Sequence, residues 1–445
     1  MRSLACSLPL WLALVAAPAP AQDSVGKAVK PKNDAPDKQH LLGDWGGVRT
    51  RLHDRGIDLT IGYIGETAAV ISGGKRHGLD YAQQLELQAD LDWAKIAGLK
   101  GFKTHTIFVN RAGRSAAHDY AGDYLFQIES IYGGTHHAPI HLVEFWGEQK
   151  IGSADFAAGR LAVGEDFATS PLYCEFMSTT VCGYPHSLPA KTGFTAFPNS
   201  TWGARLRLHM GGRIYLQAGA YQVRPKLGGR SGFDWGFSGT TGTYLPVEVG
   251  WEPTFGSAGL PGHYKAGFAL DTSDRPDTAF DDAGRPFAIS HAPPATHRSR
   301  HSWYLLGDQM VARHGNGGSN GLIVLGGYVR SAPATSQLSD FWFVGVVDQG
   351  VIGARPNDTI GFMLSYVKAS DGVGLTQMLE ERQGLPLTPP APGPQSHELV
   401  IEARYGATLA PGLKLMPDLQ YLIRPSASGR IDNALAFALR ATATF

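Results

Sequence analysis

Apolar and polar residues alternate along much of the chain, most clearly in the run from Gln84 to Trp93. Residues two apart lie on the same face of a β-strand, so one face of this run is apolar and the other carries Gln, Glu and Asp. The run has about the length of a tilted membrane strand. The alternation recurs in the segments 205–210, 214–220, 360–366, 398–405, 413–424 and 434–445. This pattern predicts an all-β fold of antiparallel strands.

Alternation by itself fits two kinds of β-protein. In a soluble sandwich the apolar face is turned to the core, whereas in a membrane barrel it is turned to lipid and the polar face to a lumen. The segment 434–445 ends on Phe445 in phase with its apolar face, which favours a barrel whose last strand is read by the assembly machinery. Aromatic residues near predicted strand ends favour the barrel too: Trp93, Trp202, Trp251, Trp303 and Tyr421.

The N-terminal part of the chain reads differently. Residues 1–21 combine a positive start, a short apolar stretch and a small-x-small site at Ala21, which predicts a secretory signal peptide cleaved near that residue. Residues 22–40 are polar and interrupted by proline, so we expect a disordered periplasmic tail. Export to the outer membrane of a Gram-negative bacterium follows from the leader and the barrel pattern together.

A short helix is predicted within residues 41–56, before the barrel domain of residues 57–445. Asp44 can cap it and Gly56 can end it. Its apolar face is expected to carry Val48 and Leu52, and its polar face Arg49, Arg51 and Arg55.

Charge and cysteine content narrow the function. Lys+Arg and Asp+Glu are both 39, which gives no electrostatic basis for nucleic-acid binding. Cys6 lies in the leader, and Cys174 and Cys182 remain in a loop-like stretch. Two cysteines in an oxidising compartment favour a disulfide, with two free buried thiols as the alternative. No motif predicts a metal or a cofactor, and no Ser/His/Asp arrangement predicts an enzyme.

The polar faces of the predicted strands supply candidates for the lining of a pore. They are Glu86, Asp90, Asp92, Glu144, Trp146, Glu148, Arg160, Arg205, Arg207, Glu402 and Arg404. The stretch 165–199, which holds both cysteines, is a candidate constriction or lid, with a plain extracellular loop as the alternative.

Several segments resemble the carbohydrate-selective porin (OprB) family. The segment Leu41 to Leu52 is similar to its N-terminal signature, and further similar segments are 202–207, 215–223, 271–274 and 415–425. The resemblance covers roughly residues 41–445. It implies a transmembrane antiparallel β-barrel of the outer-membrane type with 16 strands, with loops that fold inward to narrow the pore.

The function that the resemblance implies is passive diffusion of sugars such as glucose into the periplasm. Arg donates hydrogen bonds, Glu and Asp accept them, and aromatic rings offer apolar faces to C–H surfaces, so a mixed-sign lumen suits a neutral polyol. The expected partners are sugars, outer-membrane lipid and, through Phe445, the barrel-assembly machinery. Porins for other small solutes such as organic acids, an outer-membrane barrel enzyme and a soluble ligand-binding β-protein are the competing hypotheses.

Overall fold

The computed structural model describes residues 40–131, 138–188, 193–225, 231–315 and 320–445. The predicted signal peptide and all but the last residue of the predicted tail lie outside this part of the chain. The described residues form a closed antiparallel barrel of 16 strands, which confirms the predicted fold. The strands are β1 (Ile57–Gly74), β2 (Gly78–Asp92), β3 (Phe102–Gly113), β4 (Ala138–Ile151), β5 (Ala154–Leu161), β6 (Thr201–Met210), β7 (Ile214–Val223), β8 (Gly242–Trp251), β9 (Leu260–Asp271), β10 (Arg300–Arg313), β11 (Gly321–Ser331), β12 (Leu338–Gln349), β13 (Thr359–Ala369), β14 (His397–Ala410), β15 (Leu413–Ile423) and β16 (Asp432–Thr444).

The barrel closes because the first strand pairs with both the second and the last. Residues Gly62 to Gly74 of β1 run antiparallel to β16, and the other side of β1 pairs with β2. The alternation sorts the side chains as a membrane barrel requires. In β6, for example, Leu206 and Leu208 are exposed on the outside while Arg205 and Arg207 are buried inside. The apolar face is therefore the outer face.

The two ends of the barrel differ in the length of their connections. At the turn end the strands are joined by short segments such as 152–153, 211–213 and 411–412. At the loop end the connections are longer. They include loop L2 (114–137), loop L3 (162–200), loop L4 (224–241), loop L7 (370–396) and loop L8 (424–431). In outer-membrane barrels the short turns face the periplasm and the long loops face outward.

Helices and short strands occupy the connections. The helices are α1 (Val48–Asp54), α2 (Trp93–Ala97), α3 (Val163–Asp166), α4 (Phe287–Ser290) and α5 (Asp371–Arg382), and the short strands are Thr254–Phe255, Arg275–Asp281 and Pro294–His297. Within the ranges given above, no helix has the length and apolar character needed to cross a membrane. Trp93, expected near a strand end, directly follows the last residue of β2 and begins α2.

The N-terminal helix forms where the sequence predicts it, with Arg51 and Arg55 exposed as predicted, but Arg49 and Val48 lie on the opposite sides to those predicted. The Asp44 side chain accepts a hydrogen bond from Thr50 N–H at 2.8 Å, and Gly56 follows the helix in a left-handed conformation at φ 85°. Arg49, expected on the polar outer face, is buried, whereas Val48 is exposed. The reason is that Arg49 is turned to the barrel seam, where it donates to the backbone oxygens of Leu59 at 2.7 Å and Phe445 at 2.6 Å.

Candidate functional site

Loop L3 leaves β5 and crosses the inside of the barrel. Its near part is held by wall carboxylates. Ala162 N–H donates to Glu144 at 3.0 Å, and Ala168 N–H donates to Glu248 at 2.9 Å. Since β4 and β8 lie on different parts of the wall, these two bonds draw the loop across the lumen. The prediction that the stretch 165–199 is a constriction thus has a geometric basis.

Arg205 is the centre of the ion-pair network on the near side of L3. Its guanidinium binds Glu148 of β4 at 3.0 Å and Asp166 of L3 at 2.7 Å, and the side chain is fully buried. The neighbouring Arg207 donates to Gln217 at 2.8 Å, and Gln217 in turn donates to the Asp166 carbonyl at 2.8 Å. The structure therefore brings the predicted residues Glu148, Arg205 and Arg207 together, as supports for the loop.

The opposite side of the lumen holds the far part of L3. Glu402 of β14 accepts hydrogen bonds from the backbone N–H groups of Met177 and Ser178. Arg404, two residues along, forms an ion pair with Glu175 at 2.8 Å. Burial opposes ionisation of Glu175, but Arg404 and Lys414 outweigh it and lower the pKa of that carboxyl. Glu402 and Arg404 thus clamp the loop from the far wall.

Loop L2 also folds inward and braces L3. Gln127 N–H donates to the Thr179 hydroxyl at 2.7 Å, and Thr179 N–H donates to the Gln127 carbonyl at 3.0 Å. Behind them Glu66 of β1 accepts from Ser130 at 2.7 Å and pairs with Arg440 of β16 at 2.6 Å. The two inward loops therefore form one connected layer within the barrel.

A set of partly exposed side chains with both signs of charge lies on this layer and on the barrel wall beside it. We call it the lumen cluster and define it as Glu86, Arg111, Trp146, Glu165 and Cys182. Arg111 donates to Gln84 at 2.7 Å and interacts electrostatically with Glu86, Tyr184 and Cys182. Glu165 lies within electrostatic range of Glu86 and Glu144. Burial, then Glu144, Asp166 and Glu86, raise the pKa of the Glu165 carboxyl well above its usual range.

Aromatic and amide groups complete the wall of the lumen cluster. The Trp146 ring stacks on His105 at 4.0 Å between centroids and donates its indole N–H to Glu144 at 3.0 Å. The Arg111 guanidinium lies 5.2 Å from the centre of the Phe197 ring. Such a surface offers donors, acceptors and flat apolar faces together, which is the set of groups that a sugar can engage.

Two predicted residues of β2 lie towards the turn end. Asp90 accepts from Gln88 at 2.5 Å and also contacts His105. Asp92 is the N-cap of α2, where it accepts from Ala94 N–H at 3.0 Å. Asp92 therefore stabilises a helix end at the mouth of the barrel.

Arg160, predicted to line the pore, lies on the outside of the barrel. It pairs across the sheet with Phe145 and Trp202, and Phe145 is 45% exposed on the outer face. Loop L4 folds over this place. Trp235 stacks on Phe145 at 6.0 Å, and the Trp202 indole donates to the Trp235 carbonyl at 2.9 Å. Arg160 is buried because L4 covers it, and it contributes nothing to the lumen.

The two cysteines lie side by side at the tip of L3. Both are free thiols in this structure and are hydrogen-bonded to each other. That contact raises the pKa of the Cys174 thiol and lowers the pKa of the Cys182 thiol. The predicted disulfide is not formed here, and its formation after export stays a prediction.

Sequence reasoning missed several residues of the network. Asp166 and Glu175 lie in an irregular loop, so strand phase gives no information about them. Glu66 and Arg111 face inward in β1 and β3, where mixed polar residues obscure the alternation. Arg440 stands on the polar face of β16, and its position in phase with Thr442 and Thr444 was a usable signal.

Comparison with known proteins agrees with this geometry. The family model "Carbohydrate-selective porin, OprB family" matches residues 76–445. Porin B of Pseudomonas aeruginosa is 30% identical over 426 residues, covering 92% of each chain. The putative porin QuiX of Acinetobacter baylyi is 28% identical over 417 residues, covering 89% of this chain and 91% of its own length.

Solved structures show the same fold. The high-pH structure of Pseudomonas putida OprB has a TM-score of 0.85 at 30% identity and covers 93% of this chain and 99% of its own. The low-pH structure of the same protein has a TM-score of 0.58 and covers 93% and 100%. Family and fold point to a channel of the outer membrane rather than an enzyme. This chain therefore belongs to the carbohydrate-selective porin (OprB) family.

Proposed function

We propose that this porin lets neutral sugars such as glucose diffuse passively into the periplasm, past the lumen cluster. The observation that carries the proposal is the presence of carboxylates, a guanidinium and aromatic rings on partly exposed positions beside L3. A sugar must exchange part of its hydration for such contacts, and the contacts must be weak enough to let it leave. Most of the other charged lumen residues already pair with one another, so they hold the loop and leave the cluster to meet the solute.

A pore for organic acids would require a different balance of charge in the lumen cluster. A carboxylate solute needs a surplus of cations, whereas the single cation of the lumen cluster, Arg111, already interacts with the Glu86 carboxylate, and Glu165 adds no positive charge whether or not it keeps its proton. Like charges repel an anionic solute at this short range. The balance of charge therefore favours a neutral solute.

Single-channel conductance in a planar bilayer tests the proposal. Glucose is expected to block the ion current in a saturable way, and an organic acid of similar size is not. Arg111→Gln and Glu165→Gln should weaken the glucose block several-fold. Asp92→Asn, at the turn end, serves as the control and should leave the block unchanged. Block by the acid and not by glucose would favour the organic-acid alternative. A fully folded sample that does not conduct would reject both the sugar pore and the organic-acid pore.

Two further expectations belong to the same proposal. We propose that the leader is removed near Ala21, and that the assembly machinery reads the last strand through Phe445 before the barrel is released into lipid. Mass measurement of the mature N-terminus tests the first. Phe445→Ala keeps the backbone carbonyl that Arg49 binds, and it tests the second: this variant should insert more slowly while it refolds normally in detergent.

A further inference from the structure

Loop L2 is fastened to L8 by two buried carboxyl groups, Asp123 of L2 and Glu398 of β14. Asp123 Oδ1 accepts backbone N–H bonds from Leu125 at 2.8 Å and Ser426 at 3.2 Å. Glu398 Oε2 accepts from Ala427 N–H at 3.1 Å. Both carboxyls are at most 1% exposed. One oxygen of each carboxyl is thus used to hold the backbone of the two loops.

The two side chains are hydrogen-bonded to each other. Their remaining oxygens, Asp123 Oδ2 and Glu398 Oε1, are buried and accept no hydrogen bond from any donor group among the described residues. Two carboxylate oxygens cannot form a hydrogen bond unless one proton lies between them. When two carboxyls share a site, one of them keeps its proton far above the ordinary range. Burial also raises the pKa of the Asp123 carboxyl, which favours the protonated form of the pair.

The cations and histidine nearby do not neutralise the pair. Among the described residues no ion pair joins a cation to either carboxyl. The other charged or titratable side chains of L2, L8 and β14 have other partners: Arg114 and His118 with Asp119, Glu129 with Ala116 N–H, Tyr120 with Arg76, Tyr124 with His118, Arg424 with the Ser396 hydroxyl, Arg430 with Glu381, Glu402 with Met177 N–H, Arg404 with Glu175, Tyr405 with Asp358, and His397 against Tyr366. A second negative charge on the pair would therefore be buried next to the first without an ion-pair partner, which strongly opposes its formation.

The backbone that the pair holds is strained. Arg424, Ser426 and Ala427 have φ of 61°, 61° and 58°, in the left-handed region that side-chain-bearing residues avoid. Ser426 also accepts from Tyr124 N–H at 2.7 Å and donates its hydroxyl to the Gly122 carbonyl at 3.1 Å. Strained residues persist where surrounding contacts hold them, and they relax when those contacts are lost.

We propose that Asp123 and Glu398 form a proton-dependent clamp that fastens the outer turn of L2, residues 122–125, to L8 and keeps the loop end of the pore narrow. The inference rests on the proposed function, because it concerns the width of the same pore. Below the pH at which the shared proton leaves, the clamp is closed. Above that pH, two charges repel, the strained turn relaxes and the outer turn of L2 lifts. The deeper part of L2 stays in place through buried Phe126 and Ile128.

Chymotrypsin cleavage of the folded full-length protein tests the clamp without reference to any solute. The outer part of L2 offers Tyr120, Tyr124 and Leu125 as cleavage sites. Between pH 7 and pH 10 we expect cleavage there to increase in the wild type and to revert on return to pH 7. Asp123→Asn should abolish the increase, because the amide keeps the acceptor oxygen and donates to the Glu398 carboxylate. Glu381→Gln removes an exposed carboxyl charge of L7, which pairs with Arg430 of L8 at 2.7 Å, and leaves the buried Asp123–Glu398 pair intact, so it should behave as the wild type.

Single-channel conductance over the same pH range tests the consequence for the pore. The wild type and Glu381→Gln should gain conductance as the pH rises, and Asp123→Asn should lose this gain. Heat-modifiable migration confirms that each variant is folded. If Asp123→Asn follows the wild type in cleavage, or if cleavage increases without a change in conductance, the clamp is overturned. Absence of glucose block at every pH would reject the proposed function and leave the clamp standing.

Discussion

Arg205 shows how a cation is tolerated inside the barrel wall. Its side chain is 1% exposed and forms ion pairs with Glu148 and Asp166, so one guanidinium joins the wall to L3. Breaking such a pair is costly because it leaves the carboxylates buried and unpaired. The charge pairs thus matter more for the position of the loop than for direct contact with a solute.

Replacing Arg205 with Met should therefore lower the free energy of unfolding by about 3–5 kcal/mol. Urea unfolding in lipid vesicles measures this change. Arg330→Met is the matched control. Arg330 pairs with Asp340 at 2.7 Å on a surface where its side chain is 47% exposed, and its loss should cost about 1 kcal/mol or less. Equal losses in the two variants would contradict the structural role assigned to Arg205.

Glu129 of L2 gives a pH dependence of known sign. Burial raises the pKa of its carboxyl to about 8, although Ala116 N–H donates to it at 2.6 Å. Because the folded state then holds a proton that the unfolded state releases near its ordinary pKa of about 4.3, stability falls as the pH rises between these values and levels off above about 8.

Glu129→Gln should remove this contribution. In the window between the two pKa values, the difference in unfolding free energy between variant and wild type should grow by roughly 1.4 kcal/mol for each pH unit. Urea titrations at several pH values measure it. A difference that stays constant with pH would show that Glu129 ionises normally in the folded barrel.

At the scale of the elements, strand phase was predictable and loop position was not. The alternation in β6, β14 and β16 placed Arg205, Glu402 and the apolar outer residues on the correct faces, because a wrong register would expose charge to lipid. The inward path of L3 depends on bonds between residues far apart in sequence, such as Met177 and Glu402. No local pattern encodes such a contact.

The error at Arg160 has a local cause and a distant one. Its strand β5 ends one residue later and reads Phe156-Ala-Ala-Gly before Arg160, which gives a weak alternation. Gly159, at φ 144°, has no side chain to mark its face, and an added Cβ would lie 2.5 Å from the Phe145 carbonyl. The cover that buries Arg160 comes from L4, much later in the chain. A charged residue on the outer face is therefore understandable only with L4 in place.

The tip of L3 carries a testable prediction of its own. On exposure to a small disulfide oxidant, we expect Cys174 and Cys182 to form an intramolecular disulfide, because they already touch and Cys174 is exposed. In the mature chain, which lacks Cys6 of the leader, thiol titration under denaturing conditions should find two thiols before oxidation and none after it, with one thiol in Cys174→Ser throughout. Persistence of both thiols in the oxidised wild type would refute the pairing.

At the scale of the molecule, α1 completes the barrel at its seam. Arg49 bonds to Leu59 of β1 and to Phe445 beyond β16, and Leu41 N–H donates to the Thr444 carbonyl at 2.7 Å. The N-terminal segment therefore holds together β1 and β16, the two strands whose pairing closes the sheet. It stabilises the closed barrel rather than any single strand.

Removing this contact should make closure less stable. Arg49→Ala is expected to lower the midpoint of heat-induced unfolding seen by gel mobility, through a loss of about 1.5–3 kcal/mol for hydrogen bonds to a charged donor. Arg51→Ala, on the exposed side of the same helix, should leave the midpoint in place. An unchanged midpoint in Arg49→Ala would mean that the seam is stable without the helix.

The pairing of Glu66 with Arg440 has a consequence for the rate at which the protein unfolds. The two residues are 374 positions apart, and Met177 and Glu402 are 225 apart. Contacts between such distant parts of a chain form late and slowly, because a large loss of chain entropy precedes them. Once they exist, no segment can leave without breaking them together. Folding and unfolding curves should therefore coincide only after long incubation, and over shorter times the survival of the barrel reflects the height of its kinetic barrier to unfolding.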